Sequence, residues 1–572
     1  MPVTHLAYRL TLLAGLLLLA ACAREQPPTH PANPAESEVA RSNHARVDAT
    51  RLSEHVKVLA SDEFGGRAPG TEGETRTIAY LIEQLEAIGI EPGGDGGSWT
   101  QTVPMIHTLL DDAGSLGIRQ GEDSYALIQV EDIEVSTVRP DTAIAIDSAP
   151  VAFVGFGVSA PERDWDDFGA IDLTGKIALF LVNDPDFAAA DDEPVAGRFG
   201  NRRMTYYGRW TYKFEEAARR GALGALVIHE TEAAGYGWSV ASSSPGENYA
   251  LANAEAQPVA LQGWIHGAAA ARLLAGAGHD LEQLRVAARH PDFQAFDLEN
   301  TGFSADFQVA VREIDSENVL GLLPGSTYPD EILMVAAHWD SYGQGTPDAE
   351  GRTVRPGAND DALGTAGVLE LARVLKAGPP LQRSVVFALW TAEESGLLGS
   401  QAYADNPVYP LATTVANFTL DILQTAGLAR DVILVGEGQS ELEDDLARVA
   451  ATQNRVVTPE NLPENGLFYR ADHFSLARGG VPVLLIMGIA GGNDLVEGGR
   501  AAGDQWVADY VGNCYHQTCD AWDPDWNLAG AVQDIELFQL LIEDLGNSRR
   551  WPEWKTGSEF KAVRDASAAA RQ

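Results

Sequence analysis

The chain of 572 residues is too long for one ordinary core and predicts two or three domains. Its 45% hydrophobic and 21% charged residues are those of a folded protein, not a disordered one. With 82 Asp and Glu against 40 Lys and Arg, the formal net charge of −42 makes a surface that repels phosphate backbones, which argues against a nucleic-acid partner.

The first element is an apolar run from Leu10 to Ala21, preceded by Arg9 and followed by Cys22. It is too short to span a membrane comfortably and has the form of a secretory signal, residues 1–21. Small residues ahead of a cysteine resemble the lipobox of bacterial lipoproteins, which implies a lipid on Cys22, with Ala23 fitting outer-membrane sorting toward the periplasm or cell surface. An ordinary cleaved signal is the alternative. Residues 22–44 are Pro-rich and polar and predict a tether. Two further cysteines, Cys514 and Cys519, either form a disulfide in an oxidising compartment or remain free thiols.

From residue 45 the pattern predicts helix, loop, helix. The second helix carries Ile78, Leu81, Ile82, Leu85 and Ile88 at helical spacing, and Gly65 to Gly73 reads as the turn between the two. Between about 140 and 300 the texture changes to short apolar runs bounded by Gly and Asp, such as "PVAFVGFG", "GKIALFLVN" and "GALGALVIH", which predict strands. The stretch from Asp164 to Gly175 has the opening of a calcium loop, but Phe168 and Gly175 stand where oxygen ligands are needed. From about 300 onward, apolar strands ("DEILMVAAH", "RSVVFALWT", "VPVLLIMG") alternate with amphipathic helices, which predicts an α/β sheet, mixed or mostly parallel.

In such sheets ligands gather beyond the carboxyl ends of the strands. The ionisable residues that follow apolar runs are His338 and Asp340, Glu393 and Glu394, and Asp421; "GANDDALG" with Asp360 precedes a helix, and "NCYHQTCD" carries His516. Singly, each has an ordinary explanation: an Asp before a helix is usually an N-cap, and adjacent glutamates usually face water. Together they form an oxygen-and-imidazole set that suits zinc, and five ligands exceed what one tetrahedral ion with an open position needs. Two ions sharing a carboxylate fit the count.

In order, "HWD", "GANDDALGTAGVLELAR", "TAEESGLLGS", "YRADHFSLARGGVP" and "YHQTCD" resemble the motifs of the di-zinc leucyl-aminopeptidase and glutamate-carboxypeptidase family, over about residues 45 to 548. The resemblance implies a zinc-exopeptidase fold: a mixed, mostly parallel sheet flanked by helices, formed by residues 45–139 and 301–548. A mainly-β protease-associated domain would be inserted at 140–300, and 549–572 would be a tail. It implies two Zn2+ per chain, one held by His338 and Asp421, the other by Glu394 and His516, with Asp360 bridging. Glu393 would be general base and acid for a water shared by the ions, and Asp340 would orient His338. Asp472 would stand behind the ligands, and Tyr515 occupies a place where some members steady the tetrahedral intermediate. A cis peptide at Asp360-Asp361 is also implied. This chain departs from the family at Ala471, where Ser is common, around Asp421, and at Ser341 and Tyr342, where a His is frequent. The expected activity is release of N-terminal residues from a peptide substrate, with the membrane reached only through Cys22. Alternatives are a carboxypeptidase or dipeptidase, a single-zinc glutaminyl cyclase-like acyltransferase, and a non-catalytic receptor on the same fold.

Overall fold

A computed structural model describes residues 45–252 and 258–571. The expected signal, the tether and Cys22 lie outside the described residues. No helix among the described residues is long and apolar enough to cross a membrane.

Two helices open the described chain, α1 (Ala49–Leu59) and α2 (Glu72–Ile88). The side chain of Asp48 caps α1 by accepting from Thr50 N at 2.8 Å, and α2 ends at Gly89, whose φ of 86° few other residues adopt. In α2 the helical spacing does what it predicts, since Ile78, Leu81 and Leu85 are buried.

The first sheet runs in the spatial order β14 (Val483–Ile486), β13 (Thr414–Leu420), β11 (Tyr328–His338), β12 (Arg383–Trp390) and β10 (Phe296–Leu323). Its first four strands are parallel and β10 closes the row antiparallel to β12. Strand β11 shows why its sequence is an unbroken apolar run. Leu333, Val335 and Ala337 enter one core with α1, α2, α4 (Leu363–Ala377) and α5 (Ala529–Gly546), while Ile332, Met334 and Ala336 enter the core on the other face. A strand covered on both faces has no position for a polar residue until it ends.

A second lobe is built on the other half of β10. Its sheet continues from β10 to β5 (Ala143–Phe153), β6 (Ile177–Leu181), β7 (Gly224–His229), β9 (Leu261–His266) and β4 (Ile133–Ser136), with β2 (Ser115–Gln120) also on β10 and β3 (Asp123–Leu127) on β2. Helix α3 (Trp210–Arg219), from "TYKFEEAARRG", packs beside β7. The 28 residues of β10 thus pair with β5 near Phe307 and with β12 near Val319, so a single strand belongs to both lobes. Strand β1 (Thr100–Leu110) pairs along its whole length with β10, and β8 (Glu247–Leu251) pairs with β1.

Candidate metal centre

The parallel strands deliver the ionisable residues to one end of the sheet. His338 is the last residue of β11, Asp421 follows β13, and Glu393 and Glu394 follow β12 after a two-residue turn. Asp360 sits in the turn before α4, and the peptide between Asp360 and Asp361 is cis. His516 lies in the loop after residue 514, where Cys514 and Cys519 are joined as a disulfide.

Ligand atoms of His338, Asp360 and Asp421 all lie within 4.8 Å of one another, and so do those of Asp360, Glu394 and His516. Asp360 belongs to both trios. Its Oδ1 is 3.2 Å from His338 Nε2 and its Oδ2 is 3.3 Å from His516 Nε2, with Glu394 Oε2 3.4 Å from the same nitrogen of His516. Glu393 is in neither trio; its Oε2 stands 3.8 Å from His338 Nε2. The two adjacent glutamates therefore occupy different places.

The electrostatics are those of a site short of positive charge. Burial, with the nearby Asp360 carboxylate, pushes Asp421 up to about 8. Burial and the Asp360 and Glu393 charges push Glu394 well above the ordinary carboxylate range. Glu393 is raised in the same way by burial and by Asp421 and Asp472, against the opposing pull of His338. Of these carboxylates Asp360 alone is lowered, because its hydrogen bonds with His338 and His516 outweigh the cost of its burial. Glu394 Oε1 and His516 Nδ1 are buried without hydrogen-bond partners. Carboxylates crowded together at this depth are tolerable when cations lie among them. The oxygen-and-imidazole set fits two divalent ions of the zinc type.

The surrounding hydrogen bonds fix the two trios against each other. The Asp340 carboxylate faces His338 Nδ1 at 3.5 Å and accepts the backbone N–H groups of Glu393 at 3.0 Å and Glu394 at 3.4 Å. It thus reaches two ligand-bearing segments, where the sequence assigned it only to His338. Asp472 is buried near Glu393 and Asp421, with one carboxylate oxygen unpartnered, and burial raises it to about 7. The Tyr515 hydroxyl accepts from Arg470 Nη2 at 3.1 Å.

Three supporting residues escaped the sequence reading. Asp361 accepts from the backbone N–H groups of His338 (3.3 Å), Gly364 (2.9 Å) and Ile422 (3.4 Å), tying β11, α4 and the segment after Asp421 together. Asp520 accepts from Asn359 N at 3.0 Å, Asp360 N at 3.1 Å and the Tyr510 hydroxyl at 3.0 Å. Arg67, fully buried, donates to the carbonyls of Leu59, Trp339, Pro356 and Gly357 at 2.6–2.9 Å. Each stood in a quoted stretch: Asp361 in "GANDDALG", Asp520 in "YHQTCD", Arg67 in the glycine-rich turn.

The centre opens into a cavity of about 910 Å3 whose wall combines Glu393, Glu394, Arg470 and Tyr515 with Arg209, Tyr236 and Trp264 of the second lobe.

Residues 318–538, which contain all five ligand-type residues, match the model for peptidase family M28. The match is to a metallopeptidase family. The chain is 35% identical to aminopeptidase YwaD of Bacillus subtilis over 140 residues, 24% of this chain and 28% of that protein. It is 27% identical to leupeptin-inactivating enzyme 1 of Streptomyces exfoliatus over 236 residues, 40% of this chain and 49% of that one. The chain therefore spans from about a quarter to a half of the length of these two relatives. Among solved structures, an aminopeptidase from Aneurinibacillus sp. strain AM-1 shares the fold at a TM-score of 0.50 and 20% identity, over 87% of this chain and 94% of that one.

Proposed function

We propose that the protein is a zinc-dependent exopeptidase, an aminopeptidase in the first instance, that binds two Zn2+ per chain. The observation that carries the proposal is the pair of ligand trios sharing Asp360. The M28 match over the same residues and the aminopeptidase relatives support it. His338 and Asp421 would hold one ion, Glu394 and His516 the other, and Asp360 both.

When bound, the zinc pair supplies Lewis acidity that polarises the scissile carbonyl and lowers the pKa of the attacking water. Glu393, beside the ligands but not among them, takes the proton from that water as it adds to the carbonyl carbon. It hands the same proton to the departing amine as the C–N bond breaks. Asp340 holds the His338 ring through Nδ1, and through two backbone N–H groups it sets where Glu393 and Glu394 begin. Tyr515 accepts from Arg470 and so keeps its own O–H free to donate to the developing oxyanion.

Metal analysis tests the proposal directly. Two zinc ions per chain are expected, with hydrolysis of a leucyl arylamide lost on dialysis against a chelator and restored by zinc. A single ion would favour the cyclase-like alternative, and chelator-insensitive activity would sink the metallopeptidase reading.

A carboxypeptidase or dipeptidase reading has one observation in its favour. We infer that the second lobe is the protease-associated insertion and that it lends the cavity a cation, Arg209. This side chain is only 7% exposed, its Nε has no hydrogen-bond partner, and burial together with the Arg470 charge lowers its pKa to about 10. Arg470 lies 5.0 Å from the Tyr236 ring centroid, and Tyr236 feels both guanidinium charges. Two neighbouring cations in a partly buried wall suit a substrate carboxylate. If so, a dipeptide is cleaved better than its C-terminal amide, and Arg209→Gln reduces that ratio about 10-fold or more. Equal rates for acid and amide in the wild type would leave the aminopeptidase reading alone.

A further inference from the structure

The two histidines of the centre are held in different ways. His338 has what metal-binding imidazoles usually have, a carboxylate and a carbonyl near its far nitrogen: Asp340 Oδ1 lies 3.5 Å and Asp340 O 3.2 Å from Nδ1. His516 has no such partner, and its Nδ1 is buried with nothing to bond. Its backbone is also unusual, with φ at 62° in the left-handed region that a β-carbon disfavours. Something else must fix the plane and reach of this ring.

Two tyrosines are in contact with it. The Tyr515 ring centroid is 3.7 Å from that of His516, a local contact between chain neighbours. The Tyr342 ring centroid is 4.5 Å away and comes from a different part of the chain, the loop after β11. That loop is anchored on every side. Asp340 holds the N–H groups of Glu393 and Glu394, the Ser341 hydroxyl donates to Arg355 O at 3.4 Å, and Gly343 N donates to Gly66 O at 3.0 Å. Tyr342 therefore projects from a fixed tetrapeptide onto His516, which sits in the loop closed by the Cys514–Cys519 disulfide and held by Asp520 to the turn that carries Asp360. Tyr342 is also one of the places where this chain departs from the motif it resembles.

We propose that Tyr342 is a positioning residue for His516, replacing by ring contact the hydrogen bond that orients His338, and that it thereby sets the affinity of the Asp360–Glu394–His516 site for its ion. The proposal rests on the two-ion reading of the centre. It assigns the work to the ring of Tyr342 and not to its hydroxyl. It also makes the loop that carries Asp340 common to both ion sites, through a hydrogen-bonding carboxylate on one side and an aromatic face on the other.

The test is zinc binding to the metal-free, full-length protein, followed by competition with a chromophoric chelator so that the two ions are resolved by affinity. The ion of the Asp360–Glu394–His516 site is identified as the one whose affinity falls most in His516→Ala; in Tyr342→Ala that ion is expected to lose about 10-fold in affinity, the loss typical when a ligand's support is removed, with the other ion changed less. Tyr342→Phe, which keeps the ring, should remain within about threefold of wild type on the same scale. Tyr342→Leu, which fills the space without a planar face, stands in if the alanine variant does not fold, and should also lose affinity. Three results overturn the proposal: Ala and Leu variants that bind both ions as the wild type does, a Phe variant that loses as much as Ala, or a loss confined to the ion that His516→Ala leaves in place. A wild type that binds fewer than two ions would overturn the two-ion reading itself, and this proposal with it.

Discussion

Replacing Glu393 by Gln is expected to lower kcat on a neutral aminoacyl arylamide by about 10²- to 10⁴-fold, the usual contribution of a positioned general base. Zinc content should stay at the wild-type value, because Glu393 belongs to neither ligand trio. Gln keeps the size and the hydrogen-bonding reach of the side chain, and the backbone N–H of residue 393 would still find Asp340. What it removes is the ability to accept a proton. The neighbouring Glu394→Gln provides the contrast. Its carboxylate oxygen lies 3.4 Å from His516 Nε2 inside a trio, so this variant should lose an ion as well as activity. Metal analysis beside steady-state kinetics separates the two. If Glu393→Gln stays within about tenfold of wild type, well short of that range, Glu393 is not the base; if it loses zinc and Glu394→Gln does not, the two glutamates have exchanged roles.

This division between adjacent residues shows what could be read from sequence. Strand β11 is apolar on both faces until it ends, so His338 stood out against the run before it. The same holds for Asp421 after β13 and the glutamates after β12. Periodicity exposed the helices that cover the sheet for the same reason. The second lobe was harder to read. In β2 and β3 polar side chains alternate with few apolar ones, and β10 runs 28 residues with exposed Glu and Asp along it, so the apolar stretch at its end, "ENVLGLLPG", announces a strand but not one that reaches back into the second lobe. The supporting residues were hidden for another reason. Asp520 acts 160 residues away on Asp360, and Tyr342 meets His516 across 174 positions of chain, 516 less 342. No local pattern encodes such partners, and an Asp or Tyr in a loop has many ordinary uses. The opened question of the cysteines was settled by spacing in three dimensions, since the loop between Cys514 and Cys519 returns on itself to carry His516.

Arg67 should be the residue outside the ligand set whose loss costs most. Its guanidinium donates to four carbonyls: Leu59 at the end of α1, Trp339 between His338 and Asp340, and Pro356 and Gly357 in the turn that leads to Asp360. Burial lowers its pKa, opposed by the Asp340, Asp520 and Asp361 carboxylates, so the charge is kept by the same aspartates that organise the centre. Its backbone φ of 53° is one that a side chain normally avoids, and the four hydrogen bonds are what hold it there. Gly357 adds a constraint from the other direction. With φ at 53° and space for a Cβ only 2.3 Å from Asp360 O, no larger residue can present that carbonyl to Arg67. Hydrogen bonds to a buried charge contribute about 1.5–3 kcal/mol each and do not simply add, so Arg67→Ala is expected to destabilise the metal-free protein by about 4 kcal/mol. Lys is a poor substitute, since one ammonium cannot reproduce the planar fork that spans these groups. Urea unfolding under chelation measures the first effect. The rate of zinc transfer to a competing chelator measures a second, expected acceleration, because the turn before Asp360 and the residue after His338 lose their common anchor. A variant that unfolds within about 1 kcal/mol of wild type would mean that water replaces the guanidinium at all four carbonyls, and that Arg67 does not hold the centre together.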